Sequence, residues 1–154
     1  IPEKNVLLSV YSGLQEEMVH SAWLLHEMGY TLYATESTHA YLTSKNVPSV
    51  LAHFPNDRAA EPNAATLLRN KDIDLVINLP TSQSTQLENN YEIRRTSVDF
   101  GIPLLTNPQL VKLFVESLER HKKGELIGLE PKSLFEYYDK ENPDETWTGP
   151  AEFH

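Results

Sequence analysis

The stretch Thr31–Leu42, "TLYATESTHAYL", holds a handover from one kind of element to another. A short apolar run ends at Thr35, an acid follows, and Thr38–Ser44 reads as a helix. In α/β folds anions are held at such a turn, because the first N–H groups of a helix have no intrahelical partner and point outward. The two hydroxyls of Thr35 and Thr38 would also serve as plain helix caps. The residues that the rest of the chain places around them decide between the two roles.

The handover repeats along the chain. Asn5–Val10, "NVLLSV", is a continuous apolar run flanked by polar residues, as in a strand buried on both faces. Ser12 and Gln15 have the spacing of a capping box. From Gln15 to Met28, Met18, Val19, Ala22, Trp23 and Leu25 fall on one helical face, with Trp23 expected in the core. Gly29 is placed to end this helix in the left-handed conformation. Further strands are expected at Tyr30–Ala34, Val47–Phe54, Ile73–Leu79 and Ile102–Asn107. Helices are expected at Ala64–Arg69, near Tyr91–Phe100, where Gly101 stops the helix, and from Pro108 to near His121. Leu110, Val111, Phe114 and Leu118 mark the buried stripe of the last one. Strands alternating with helices imply an α/β fold with a parallel sheet, covered on both faces through right-handed crossovers. Two polar loops interrupt the pattern, "PNDRAAEPN" at 55–63 and "PTSQSTQLENN" at 80–90. Residues 123–154 lose it and read as a tail, with "SLFEYY" expected to dock on the body and the remainder mobile.

Composition narrows the function. The chain has 154 residues, enough for one domain with a real core, and a net charge of −9. That charge argues against a general nucleic-acid or anionic-membrane surface, while leaving room for a local anion pocket. Cysteine is absent, which removes disulfides, thiolate metal sites and a cysteine nucleophile and fits a reducing compartment. No apolar run nears the roughly 18–20 residues that span a bilayer. The N-terminus, "IPEKNVLLSV", has neither a basic leader region nor an initiator Met, so it reads as the start of a domain within a longer chain.

In an open parallel sheet, ligands sit beyond the carboxyl ends of the strands. Those ends carry Ser9–Ser12, Thr35–Thr38, His53–Pro55, Asn78–Thr85 and Thr106–Asn107. Thr35, Thr38, Asn78 and Thr81 could all donate to anionic oxygens, with helix N-termini after Thr35 and near Asn90 adding backbone donors. Catalytic signatures are missing: no G-x-S-x-G, no G-x-G-x-x-G, no Walker loop. His20, His26, His39, His53, His121 and His154 lack metal-ligand spacing, so no metal and no catalytic residue is expected. Glu36 would repel an anion unless turned away. Of the adjacent Arg94 and Arg95, about 100° apart on a helix, one is expected to brace the loop and the other to be solvated.

"LYATESTHAYL", "DLVINLP", "YEIRRTSVDFGIPLLTN" and "KLFVESLE" together resemble the methylglyoxal-synthase-like domains. Among these they are most similar to the C-terminal regulatory domains of carbamoyl-phosphate synthetases, especially the ammonia-dependent mitochondrial form of the urea cycle, which "PKSLFEYY" also resembles. The resemblance, with the strand–helix alternation, implies a three-layer fold with a five-stranded parallel sheet in the order 3-2-1-4-5. It implies a division into an effector-binding domain, 1–122, and a tail, 123–154. It further implies no chemistry and no cofactor in the domain itself, ATP and Mg in the parent synthetase, and partners consisting of a small effector and the synthetase domains. The effector would be N-acetyl-L-glutamate in the mitochondrial matrix, or UMP, IMP or ornithine in cytoplasmic pyrimidine- or arginine-pathway relatives. By position the effector residues would be Thr35, Thr38, Phe54, Asn78, Thr81 and Asn90. Phe54 stands where the urea-cycle form has tryptophan, and Thr81 where it has asparagine. A methylglyoxal-synthase-type lyase is disfavoured, because the phosphate-loop glycines are absent around Thr35 and "NLPTSQS" replaces the catalytic aspartate loop.

Overall fold

In a computed structural model of the protein, residues 5–81 and 86–122 are described. β1 (Asn5–Val10) lies at the centre of the sheet, paired in parallel with β2 (Thr31–Ala34) on one side and β4 (Leu75–Leu79) on the other. β3 (Val50–Leu51) extends the β2 side and β5 (Leu104–Leu105) the β4 side, so the five parallel strands run in the order 3-2-1-4-5. This is the order expected from the sequence. Register sets Val6 opposite Leu75 and Leu8 opposite both Ala34 and Ile77.

Alternation along the central strands builds two cores. Val6, Leu8, Leu75 and Ile77 join the layer that includes Met18, Ala22 and Leu25 of α1 (Ser12–Glu27), Leu42 of α2 (Glu36–Ser44), and Val111, Phe114 and Leu118 of α5 (Pro108–Lys122). Leu7 and Val76, on the opposite face, meet Ala64 and Leu68 of α3 (Ala64–Arg69) and Ile93 of α4 (Leu87–Asp99). Burial on both faces explains why β1 and β4 read as unbroken apolar runs.

Several boundaries and one core assignment differ from the sequence reading. Trp23 is 40% exposed, resting against His26 at 5.6 Å between ring centroids. The buried line of α1 runs through Gln15, Met18, Ser21, Ala22 and Leu25, and a residue one step beyond Ala22 is carried about 100° out of it. The capping box does not form. Tyr11 is the N-cap and has no side-chain cap bond, while Gln15 is buried and donates its amide to the Val10 carbonyl at 3.0 Å. α2 starts at Glu36, with Thr35 as its N-cap, so Thr38 lies inside the first turn instead of opening the helix. α4 starts at Leu87, four residues before Tyr91, because Asn89 and Asn90 turn inward to bond Gln86. β3 shrinks to two residues: it is an edge strand, and beyond it the chain leaves the sheet for an isolated bridge between His53 and Asn63. β5 is likewise two residues long at the other edge. Gly29 and Gly101 both take positive φ, 95° and 68°, as the helix ends before them require. The expected docking of "SLFEYY" lies outside the described residues.

Candidate functional site

α1 leaves the end of β1 toward one face of the sheet, and α4 follows β4 toward the other, which opens a crevice beyond their carboxyl ends. A cleft of about 500 Å³ occupies it. Its walls are the Ser9–Gly13 turn, Thr35, Ser37 and Thr38 at the start of α2, Phe54, and Thr81, Gln86 and Asn90. The structure therefore brings five of the six sequence-derived positions to one cleft: Thr35, Thr38, Phe54, Thr81 and Asn90. Asn78 is not in the wall. It is fully buried behind Asn90, to whose Oδ1 it donates at 2.9 Å.

Two helix N-termini face this space, those of α1 and α2. Neither Tyr11 nor Thr35 caps its helix with its side chain, so the first-turn N–H groups and the positive dipole ends are presented to the cleft. Gly13 makes the close approach possible. A Cβ there would lie 2.5 Å from Cε2 of the Tyr11 ring. The contribution of α1 was hidden in the sequence, where Ser12–Gln15 looked self-capped. The signal that could have found it is Gly13, a poor helix former placed in a first turn.

The threonine hydroxyls are already engaged. Thr38 Oγ1 accepts the Val10 N–H at 2.9 Å and donates to the Val10 carbonyl at 3.2 Å, tying α2 to the end of β1. Thr35 Oγ1 donates to Ser9 Oγ at 2.9 Å, and Ser9 Oγ donates to Asn90 Oδ1 at 2.8 Å. Both threonine protons, which the sequence offers to anionic oxygens, are here directed at protein acceptors, Ser9 Oγ and the Val10 carbonyl. Ser37, unforeseen from sequence, lines the cleft and accepts from Gln15 Nε2 at 2.9 Å.

Phe54 is held from behind. The Asn63 amide donates to the carbonyls of Phe54 and Asp57, both at 3.0 Å, while its Oδ1 caps α3 through the Ala65 N–H. The Asn56 N–H bonds Asn89 Oδ1 at 3.1 Å, joining this loop to α4. Arg94 donates to Asn78 Oδ1 at 3.1 Å, and Arg95 lies on the surface 3.8 Å from Asp99. Arg94 thus braces Asn78 on β4, and Arg95 is solvated, as expected of one of the pair. Among the described residues no Lys or Arg lines the cleft, and Arg58 is exposed outside its wall.

Glu36 is not in the cleft wall; its carboxylate lies 3.9 Å from His53 Nδ1, which is also 3.9 Å from Asp57. That nitrogen is buried without a hydrogen-bond partner, and the three side chains offer ligand atoms within 4.8 Å of one another. One imidazole and two carboxylates could coordinate a divalent cation, but both carboxylates are exposed, and exposed acids often cluster without one. Histidine spacing could not show it, because the three residues come from two segments joined only by the fold. Among the described residues no helix is long and apolar enough to cross a membrane.

Comparison with known proteins sets this geometry in context. Residues 17–106 match the family model described as MGS-like domain. The chain is 39% identical over 140 residues to human "Carbamoyl-phosphate synthase [ammonia], mitochondrial", covering 89% of this chain and 9% of that protein. It is 36% identical over 126 residues to the "Carbamoyl phosphate synthase large chain, C-terminal section" of Methanocaldococcus jannaschii, covering 79% of this chain and 19% of the relative. A similar match, 34% identical over 131 residues, is to the "Multifunctional protein URA2" of Saccharomyces cerevisiae, with 79% and 6% covered. The chain thus spans about a tenth of the length of its human relative. In fold it is similar to a methylglyoxal synthase from Elizabethkingia anophelis, with a TM-score of 0.57 at 13% identity over 73% of this chain and 77% of that one. From the five-stranded order, the cleft at its switch point and the family match, the chain belongs to the MGS-like domain family.

Proposed function

We propose that this domain is the allosteric effector-binding unit of a carbamoyl-phosphate synthase, and that its effector is N-acetyl-L-glutamate, bound in the cleft at the end of β1. Residues 1–122 form the unit and 123–154 a C-terminal tail. The parent synthetase domains would carry ATP and Mg and make carbamoyl phosphate from bicarbonate and ammonia, in the mitochondrial matrix and in the service of the urea cycle. Similarity to mitochondrial carbamoyl-phosphate synthases supports the setting.

The observation that carries the effector's chemistry is two helix N-termini without side-chain caps converging on one cleft that has an aromatic wall and, among the described residues, no cationic side chain. A carboxylate is satisfied by the N–H groups of Ser12, Gly13 and Ser37 and the Ser37 hydroxyl. Phe54 covers the acetyl or methylene groups, and Thr81 and Gln86 reach the second carboxylate. Thr38, Asn78 and Asn90 hold these walls in place, and Thr35 faces the ligand from the start of α2. A nucleotide needs more apolar wall for its base and, in many sites, a cation for its phosphate, which the described lining lacks.

Calorimetric titration of the domain, and of a chain ending at Lys122, tests the proposal. N-acetylglutamate is expected to bind both at one site. UMP, IMP and ornithine are expected to give no heat, and dihydroxyacetone phosphate no product. Binding of UMP without N-acetylglutamate would move the domain to the nucleotide-regulated class; turnover of the triose would make it an enzyme.

A further inference from the structure

Ser9, Thr35, Asn78, Asn90 and Arg94 form one hydrogen-bonded chain from the cleft wall to α4, and its direction can be deduced. Arginine has five N–H donors and no acceptor. The atom it meets at 3.1 Å, on Asn78, must therefore be the carbonyl oxygen, which turns the Asn78 amide nitrogen toward Asn90. The Asn90 atom 2.9 Å from that nitrogen must in turn be its own oxygen. A second anchor agrees, since the Asn90 amide donates to the Gln86 carbonyl at 3.0 Å. Ser9 approaches the same Asn90 oxygen at 2.8 Å and can only donate its single proton to it. That leaves Ser9 as the acceptor at 2.9 Å from Thr35, so the single Thr35 proton is spent on Ser9.

We infer that Thr35, fixed by the Arg94–Asn78–Asn90–Ser9 chain, presents only lone pairs to the cleft and selects an effector with an N–H or O–H donor at that point. Arg94 acts through other residues and is a positioning residue; Thr35 is the specificity-determining one. A buried hydroxyl that cannot turn its proton discriminates sharply, because an acceptor placed opposite it meets lone pairs and gains no bond. The inference deepens the proposal of N-acetylglutamate and rests on it for the ligand: Thr35 would accept the acylamino N–H, with one carboxylate at the N-termini of α1 and α2 and the other at Thr81 and Gln86.

The test compares N-acetyl-L-glutamate with 2-acetoxyglutarate, which keeps both carboxylates and the acetyl group but replaces N–H with an ester oxygen. The amide is expected to bind the wild-type domain about ten- to a hundredfold more tightly. Thr35→Val should bring this ratio toward one, chiefly by weakening the amide, while Thr35→Ser should restore it. A purely structural role for Thr35 would weaken both ligands alike. Equal affinities in the wild type, or a ratio unchanged in Thr35→Val, would overturn the inference and leave N-acetylglutamate binding intact. Should neither compound bind, the effector assignment fails, and NMR of the unliganded domain decides the chain's direction. A slowly exchanging Thr35 hydroxyl proton close to Ser9 Hβ, lost in Ser9→Ala, supports it; a proton on Ser9 directed at Thr35 overturns it.

Discussion

At the residue scale, the same side-chain type takes opposite duties within one turn. Thr38 is 3% exposed and satisfies both polar groups of Val10, so its work is structural. Thr38→Val keeps the shape but strands a buried N–H. We expect it to lower unfolding free energy by about 1–3 kcal/mol, read from urea denaturation. N-acetylglutamate affinity should fall far less than in Thr35→Val. Tyr30 offers a pH test. Burial, and then the nearby Asp74 carboxylate, raise its phenol above the ordinary value of 10.0. The folded state thus favours the protonated form. The associated stability is fully present below the unfolded value and is lost as pH rises through the higher folded one. Melting temperature should therefore decline above pH 10, and Tyr30→Phe should remove that part of the decline.

At the element scale, helix ends do most of the positioning. α1 begins uncapped at the cleft and ends at Gly29, whose φ of 95° is reached only with strain by any residue with a Cβ. Nothing lies within 4 Å of a Cβ built there, so Gly29→Ala isolates the backbone term. It should cost ~1–2 kcal/mol with little change in ligand binding, since Gly29 lies at the opposite end of α1 from the cleft. The expected readout is a lower melting temperature with an unchanged dissociation constant. Loss of binding as well would mean that the two ends of α1 are coupled.

At the scale of the whole molecule, the sheet is sealed on both sides and the cleft is a consequence of its winding. Ile77 lies at the middle of β4, fully buried, between Leu8 on β1 and Leu105 on β5. Ile77→Ala should destabilise by about 2–5 kcal/mol, a loss measurable by chemical denaturation. Because the cleft is built on the ends of β1 and β4, its affinity should weaken only as the fold itself is lost.

The strands, the two-faced core and the helix ends at Gly29 and Gly101 were legible in the sequence, because apolar periodicity and backbone-permissive residues act over a few neighbours. The order of the strands came from resemblance to a family, since periodicity carries no information about which strand lies beside which. Thr35, Thr38 and Thr81 could be named from the strand ends, and Phe54 and Asn90 through the resemblance, yet their roles could not. Thr35 meets Ser9 across 26 residues of chain, and Ser9 meets Asn90 across 81. A hydroxyl has one proton, and only a partner brought close by the tertiary fold decides where it goes. The sequence determined by itself that polar groups would gather at the end of β1; the folded contacts alone decided which of them have a proton left to give.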